Sequence, residues 1–188
     1  MPMTKTKTKT RSISLLPLLA AAATLAGCMS QGGPSARAMT MPGAVAQLSP
    51  TQGNQAKGTV WFTQDGLRVN VRVQVSGLVP NQEHGFHVHE KGDCSAPDAM
   101  SAGGHFNPGG QPHGPQSAPH HGGDMPSLKA DAAGNAQASF QLSGVTIGTG
   151  IDGLLGKGVI VHAKPDDYTT QPTGNSGARI ACGVITAS

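Results

Sequence analysis

The sequence predicts an all-β fold, a Greek-key β-sandwich or flattened barrel with long loops. Three observations predict it. Residues 67–75 alternate Leu or Val with Arg, Asn and Gln, the period-two pattern of a strand with one buried and one wet face. Glycine occurs 27 times and proline 14 times in 188 residues, which suits a chain with many turns. No long stretch carries the three-to-four-residue apolar spacing of a helix. Aromatic residues are only 3% of the chain, so the core must come from Val, Ile, Leu and Ala.

Residues 1–27 read as a targeting segment. Lys5, Lys7, Lys9 and Arg11 make a basic start, and residues 13–26 are apolar. That run is short for a bilayer span and contains Pro17. It ends in Leu25-Ala26-Gly27-Cys28, which resembles a bacterial lipobox, where the cysteine becomes the lipidated first residue of the mature protein. The alternative is an ordinary signal peptide with an incidental cysteine. Acyl chains on Cys28 would hold the protein to a membrane without a transmembrane helix. Met29 follows, with no Asp of the kind that retains such proteins at the inner membrane. The expected location is the periplasm, on the outer membrane.

Removing that segment changes the charge. The formal net charge is +3, but four of the 13 basic residues lie in the first eleven positions. Nine then face ten acidic residues, for a net of −1, and nothing suggests a nucleic-acid partner. Residues 28–53, rich in Gly, Pro, Ser, Ala, Gln and Met, read as a flexible tether. Met29, Met39 and Met41 are linker residues on this reading rather than thioether ligands for copper(I).

The folded domain is expected over 54–188. Residues 59–63 are β-rich, Asp65-Gly66 marks a tight turn, and the alternating run 67–75 returns as the second strand of a hairpin. Further strands are expected at 136–142, 158–163 and 180–186.

Seven of the eight histidines fall between positions 84 and 121. In His84-Gly85-Phe86-His87-Val88-His89, strand alternation sends Phe86 and Val88 to a core and puts His87 and His89 side by side on the outer face. His105 and His113 follow in a loop of Gly, Pro, Asn and Gln, which can build no core of its own and must be tied down. His121-Gly122-Gly123-Asp124 ends that loop, and His162 sits in a strand-like run. Three imidazoles and a carboxylate (His105, His113, His121, Asp124) make a closed set that suits structural zinc. An all-nitrogen set (His87, His89, His105, His162) suits copper. His105 belongs to both. His120 adjoins His121, and the H-x-x-D spacing favours His121 as the ligand.

The motifs His84–Glu90 (H-G-F-H-V-H-E), G-D-C at 92–94, A-G-G-H-F-N-P at 102–108, H-x-x-D at 121–124, V-H-A-K-P-D-D-Y at 161–168 and G-A-R-I-A-C-G-V-I at 177–185 occur in order over about the last two-thirds of the chain. Together they resemble bacterial copper/zinc superoxide dismutases. The resemblance implies an immunoglobulin-like sandwich, one copper and one zinc per subunit, superoxide as substrate, and allows a homodimer. It implies that His87, His89, His105 and His162 bind copper and that His105, His113, His121 and Asp124 bind zinc. It makes Arg179 the group that holds the anion beside copper. Asp166 becomes the carboxylate that accepts hydrogen bonds from one histidine of each metal, and His84 a support that binds no metal. It also pairs Cys94 with Cys182, in keeping with an exported protein. A periplasmic protein that stores or delivers copper and zinc without turnover is the rival reading. The histidine cluster fits it equally well, but a carrier needs no anion site.

Overall fold

A computed structural model describes residues 43–188, which contain nine strands and one short 3-10 turn. The segment expected to be a targeting signal, Cys28, Met29, Met39 and Met41 lie outside the described residues. In chain order the strands are β1 (Gly43–Pro50), β2 (Lys57–Asp65), β3 (Arg68–Ser76), β4 (Glu83–His84), β5 (Phe86–His89), β6 (Leu128–Lys129), β7 (Ala136–Ser143), β8 (Gly158–His162) and β9 (Arg179–Ala187). Seven of them form one antiparallel ladder in the order β5-β8-β9-β1-β2-β3-β7, and β4 pairs with β6 alone.

Phe86 on β5 and Leu142 on β7 lie at opposite ends of that ladder, yet both are buried in one core cluster with Val60, Val73 and Val161. The sheet must therefore curl around them, which makes the flattened barrel that the alternating pattern predicts. On β3, Val69, Val71, Val73 and Val75 are buried while Arg68, Arg72 and Gln74 are exposed.

Two expectations need correction. The tether does not run to residue 53, because Gly43–Pro50 is a central strand between β2 and β9. Ala44, Ala46 and Leu48 alternate into the core. Their small side chains give a weak apolar signal, and the surrounding Gly, Pro and Ser residues conceal it. The hairpin turn also falls one residue later than Asp65-Gly66. Asp65 pairs with Arg68, so Gly66 and Leu67 are the turn residues. Gly66 adopts φ 56°, and Leu67, expected on the buried face, is 92% exposed.

The metal-loop side of the barrel is built on an edge strand. β5 pairs with β8 on one side, and its other edge takes the histidine loop: Phe106 N–H donates to Val88 O (2.9 Å), Val88 N–H to Gly123 O (2.8 Å) and Glu90 N–H to Gly104 O (2.9 Å). Both ends of the loop are thus strapped to β5 by backbone bonds, independent of any metal. A disulfide joins Cys94 to Cys182 across 88 residues, with the Cα atoms 5.8 Å apart. By loop-closure entropy such a bridge contributes about 4–5 kcal/mol. It ties the segment after β5 to β9, next to Ala99, Ala102 and Ile160.

A chain beginning at residue 54 removes β1 and leaves β2 and β9 without their shared neighbour. It should show no cooperative thermal transition by circular dichroism, whereas a chain beginning at residue 43 should unfold cooperatively. Equal melting curves would mean that β1 is dispensable.

Candidate metal centre

The site starts with β5. Phe86 and Val88 enter the core, and His87 and His89 take the opposite face. That face is not open as alternation alone suggested. Both histidines are fully buried because the loops from Gly103 to Asp124 and from Ala163 to Ala178 roof it. β8 brings His162 to the same face. A register shift between Val161 and His162 sets His162 directly across from Arg179 on β9.

Each ring is oriented by its second nitrogen. His89 Nδ1–H donates to Gly103 O (2.9 Å) and His162 Nδ1–H to Gly177 O (3.1 Å). Their Nε2 atoms consequently carry lone pairs, and these face each other at 3.4 Å. His87 Nε2–H donates to Asp166 Oδ2 at 2.6 Å, which leaves a lone pair on Nδ1. Neither His87 Nδ1 nor His105 Nε2 has a hydrogen-bond partner, although both are buried. Convergent lone pairs in a dry site repel unless a cation joins them. Ligand atoms of His87, His89, His105 and His162 all lie within 4.8 Å of one another, so one metal ion satisfies the four together.

The second set lies behind His105. Asp124 Oδ1 is 2.9 Å from His105 Nδ1, 3.0 Å from His113 Nδ1 and 3.3 Å from His121 Nδ1. Its other oxygen, Oδ2, accepts the N–H groups of Gly114 (3.1 Å) and His121 (2.9 Å), which aims Oδ1 at the three rings. Ligand atoms of these four residues again lie within 4.8 Å of one another. His120 is not among them; it is half-buried, with its ring bonded to Ala118 O.

Asp166 joins the two sets. It accepts from His87 and, at 2.9 Å, from His113 Nε2. His84 is buried and donates Nδ1–H to His162 O (2.8 Å), so it braces β8 from outside both clusters. Sequence reasoning missed the carbonyls of Gly103 and Gly177 as ring acceptors. It also missed Ser127 and Tyr168, whose hydroxyls meet at 3.2 Å beside Asp166. Backbone acceptors leave no trace in residue identity, and Tyr168 was visible only as the end of a motif.

Electrostatics favour metal uptake on the first set. Burial pushes His87 down to about 4, His162 to about 3 and His89 to about 2, so all are neutral at physiological pH. His113 is the exception. Burial opposes its protonation, but the adjacent carboxylates of Asp124 and Asp166 carry it up to about 9. Burial likewise opposes ionisation of Asp124, yet hydrogen bonds from His105 and His113 hold it well below the usual carboxylate range. In the metal-free protein the His113 imidazolium supplies the positive charge between two carboxylates, and a divalent ion must displace its proton.

A cavity of about 800 Å³ opens onto His89 and His162. Arg179 and Asp98 are the charged residues that line it. The Arg179 guanidinium donates to Ala99 O (2.7 Å) and to Gly103 O.

The sequence profile described as "Copper/zinc superoxide dismutase (SODC)" matches residues 56–185. The chain belongs to the copper/zinc superoxide dismutase family. A superoxide dismutase [Cu-Zn] of Deinococcus radiodurans is 35% identical, over 94% of this chain and 97% of that one. Superoxide dismutase [Cu-Zn] 2 of Aquifex aeolicus is 40% identical, over 74% of this chain and 84% of its own length. Among solved structures, the clock protein EA4 has a TM-score of 0.71 at 36% identity and covers 79% of this chain and 96% of that one. A SOD-like protein from Bacillus subtilis has a TM-score of 0.67 at 35% identity, covering 74% and 96%. The family is itself a standing example of the sandwich architecture described above. Copper and zinc are its metals, and the two donor sets fit them.

For this family member without metal, stability should peak near neutrality. Unfolded histidine titrates at about 6.5. Below that pH the unfolded chain binds protons that His87, His89 and His162 refuse when folded, so stability falls with acid, by at most about 4 kcal/mol per pH unit for three protons. His113 works in the other direction: its folded-state proton stabilises below about 6.5 and that contribution is lost as pH rises through about 9. Denaturant unfolding of chelator-treated protein at pH 5, 6.5 and 8.5 checks this; a flat profile would contradict it.

Proposed function

We propose that the chain is an exported superoxide dismutase whose copper ligands are His87, His89, His105 and His162 and whose zinc ligands are His105, His113, His121 and Asp124. The observation that carries this reading is the convergence of lone pairs on the first set, with a buried carboxylate and three imidazoles behind the shared His105. Copper held by His87, His89, His105 and His162 would supply the one-electron redox couple that lets two superoxide ions and two protons become dioxygen and hydrogen peroxide. Zinc is redox-inert. His113, His121 and Asp124 therefore act by fixing the loop and the angle of the His105 ring. Asp166 keeps His87 and His113 in the tautomers that ligation needs.

Arg179 binds the substrate anion. It stands across from His162 on the cavity wall, and two of its five N–H donors are spent on Ala99 and Gly103. Those bonds lock the guanidinium without neutralising it. Storage or delivery would need the donor sets but not this cation, which favours the enzyme. Superoxide dismutases are a standing example of electrostatic guidance of substrate. Here guidance is local, because Asp98 on the rim offsets part of the Arg179 field. Arg179→Glu should cut superoxide turnover at least tenfold at matched copper loading while copper affinity changes little, and wild-type turnover should fall with ionic strength. Equal rates for the two proteins would reduce Arg179 to a surface charge.

Small residues before Cys28, behind a basic and then an apolar segment, support lipidation of that cysteine and residence in the periplasm on the outer membrane. Cys28→Ser should move the protein from the membrane pellet to the soluble fraction with its activity intact. Retention in the pellet would place the anchor elsewhere.

A further inference from the structure

His113 lies in the middle of the loop, far from the backbone straps at Phe106 and Gly123. Its neighbours are Pro112 and Gly114, in a stretch without regular structure. Something else must hold its main chain. Gly114 N–H is held by Asp124 Oδ2, and the contacts on His113 itself come from Gln171, an exposed residue on the segment that leads from Asp166 to Arg179. Gln171 Oε1 accepts the His113 N–H at 2.8 Å, and Gln171 Nε2 donates to the His113 carbonyl at 2.9 Å. One amide thus pairs with both polar groups of one residue, 58 positions away in the sequence. Only one orientation of the amide satisfies both bonds.

The same segment grips the ring. Asp166 accepts from His113 Nε2. Gly174 sits against both, and a Cβ there would collide with the Asp166 carboxylate and the His113 imidazole. Three residues of one segment therefore fix the backbone, the tautomer and the packing of one ring. Thr173, Gly177 and Arg179, further along this segment, line the copper-side cavity.

We propose that Gln171 is a positioning residue for the zinc site: it holds the His113 main chain so that Nδ1 is already aimed at Asp124, His105 and His121 before the ion arrives. This rests on the reading of His113 as a zinc ligand. The gain is preorganisation. Without the amide, the Gly- and Pro-rich loop must be ordered at the expense of zinc affinity, and the ring keeps its contacts with Asp166 and Asp124 while its own main chain is left unheld. The copper set contains no residue that Gln171 touches, and reaches the latch only through the shared His105 and Asp166, so the direct effect falls on zinc.

The test is competition with a chromophoric chelator on the purified full chain, for zinc and for copper separately, in wild type, Gln171→Ala, Gln171→Glu and His113→Ala. Gln171→Ala should weaken zinc about tenfold, the effect of two hydrogen bonds of ordinary strength less what water replaces, with copper affinity within twofold of wild type. Gln171→Glu keeps an acceptor for the N–H but sets a carboxylate against the His113 carbonyl, so it should bind zinc no better than Gln171→Ala. The absorption spectrum of cobalt(II) in the zinc site should also change in Gln171→Ala, which a merely stabilising contact would not cause. Wild-type zinc affinity in Gln171→Ala, with zinc lost in His113→Ala, overturns the latch alone. Zinc retained in His113→Ala overturns the ligand reading beneath it. Equal loss of both metals in Gln171→Ala shows general loosening and overturns the positioning role.

Discussion

Everything at this site depends on where buried imidazoles put their protons. A neutral histidine has one N–H, and in a dry environment that N–H must find an acceptor. His89 and His162 find backbone carbonyls, and His87 and His113 find the two oxygens of Asp166. Once those acceptors are fixed, the remaining nitrogens of His87, His89 and His162 have no choice but to present lone pairs to one another, while the second nitrogen of His113 faces Asp124. In the first set metal affinity is therefore stored as unrelieved repulsion, and the barrel is the rigid body that keeps it unrelieved.

The barrel does this by giving the site three kinds of support. β5 and β8 are paired strands with their core face full, so His87, His89 and His162 cannot drift. The histidine loop is laid along the free edge of β5 through main-chain bonds at its two ends, which brings His105 and Asp124 into place. The disulfide ties the segment between β5 and the histidine loop to β9. The loop would be too polar and too rich in glycine to hold itself, and it does not have to. Its ends borrow a strand, and its middle borrows the segment after β8.

Much of this was legible in the sequence. Alternation in residues 67–75 and the Phe-His-Val-His run report strands because burial on one face leaves a period of two. The residues of the two donor sets could be picked out because metal chemistry demands particular side chains, and the fold brings each set together. What could not be read was anything that depends on small residues or on backbone. β1 reads as linker in the sequence, because Ala44 and Ala46 are too small to raise an apolar signal above the surrounding Gly, Pro and Ser. The burial of His87 and His89 was missed because roofing by a distant loop has no local period. The Gln171 bridge was invisible for the same reason: an exposed glutamine in a polar stretch has no signature until the fold brings His113 to it.

One carbonyl carries a double duty. Gly103 O accepts both the His89 ring and the Arg179 guanidinium, so a ligand of the first set and the cation of the cavity wall hang from a single peptide group. That peptide follows the 3-10 turn Met100–Ala102, in the segment whose start is fastened to β9 by Cys94 and Cys182. The residues on either side of it are strapped to the end of β5, Ala102 O accepting from Lys91 N–H and Gly104 O from Glu90 N–H, so the shared acceptor is held by main chain as well as by the covalent tie. A shift of that one peptide would therefore turn a ring of the first donor set and swing the cavity cation together.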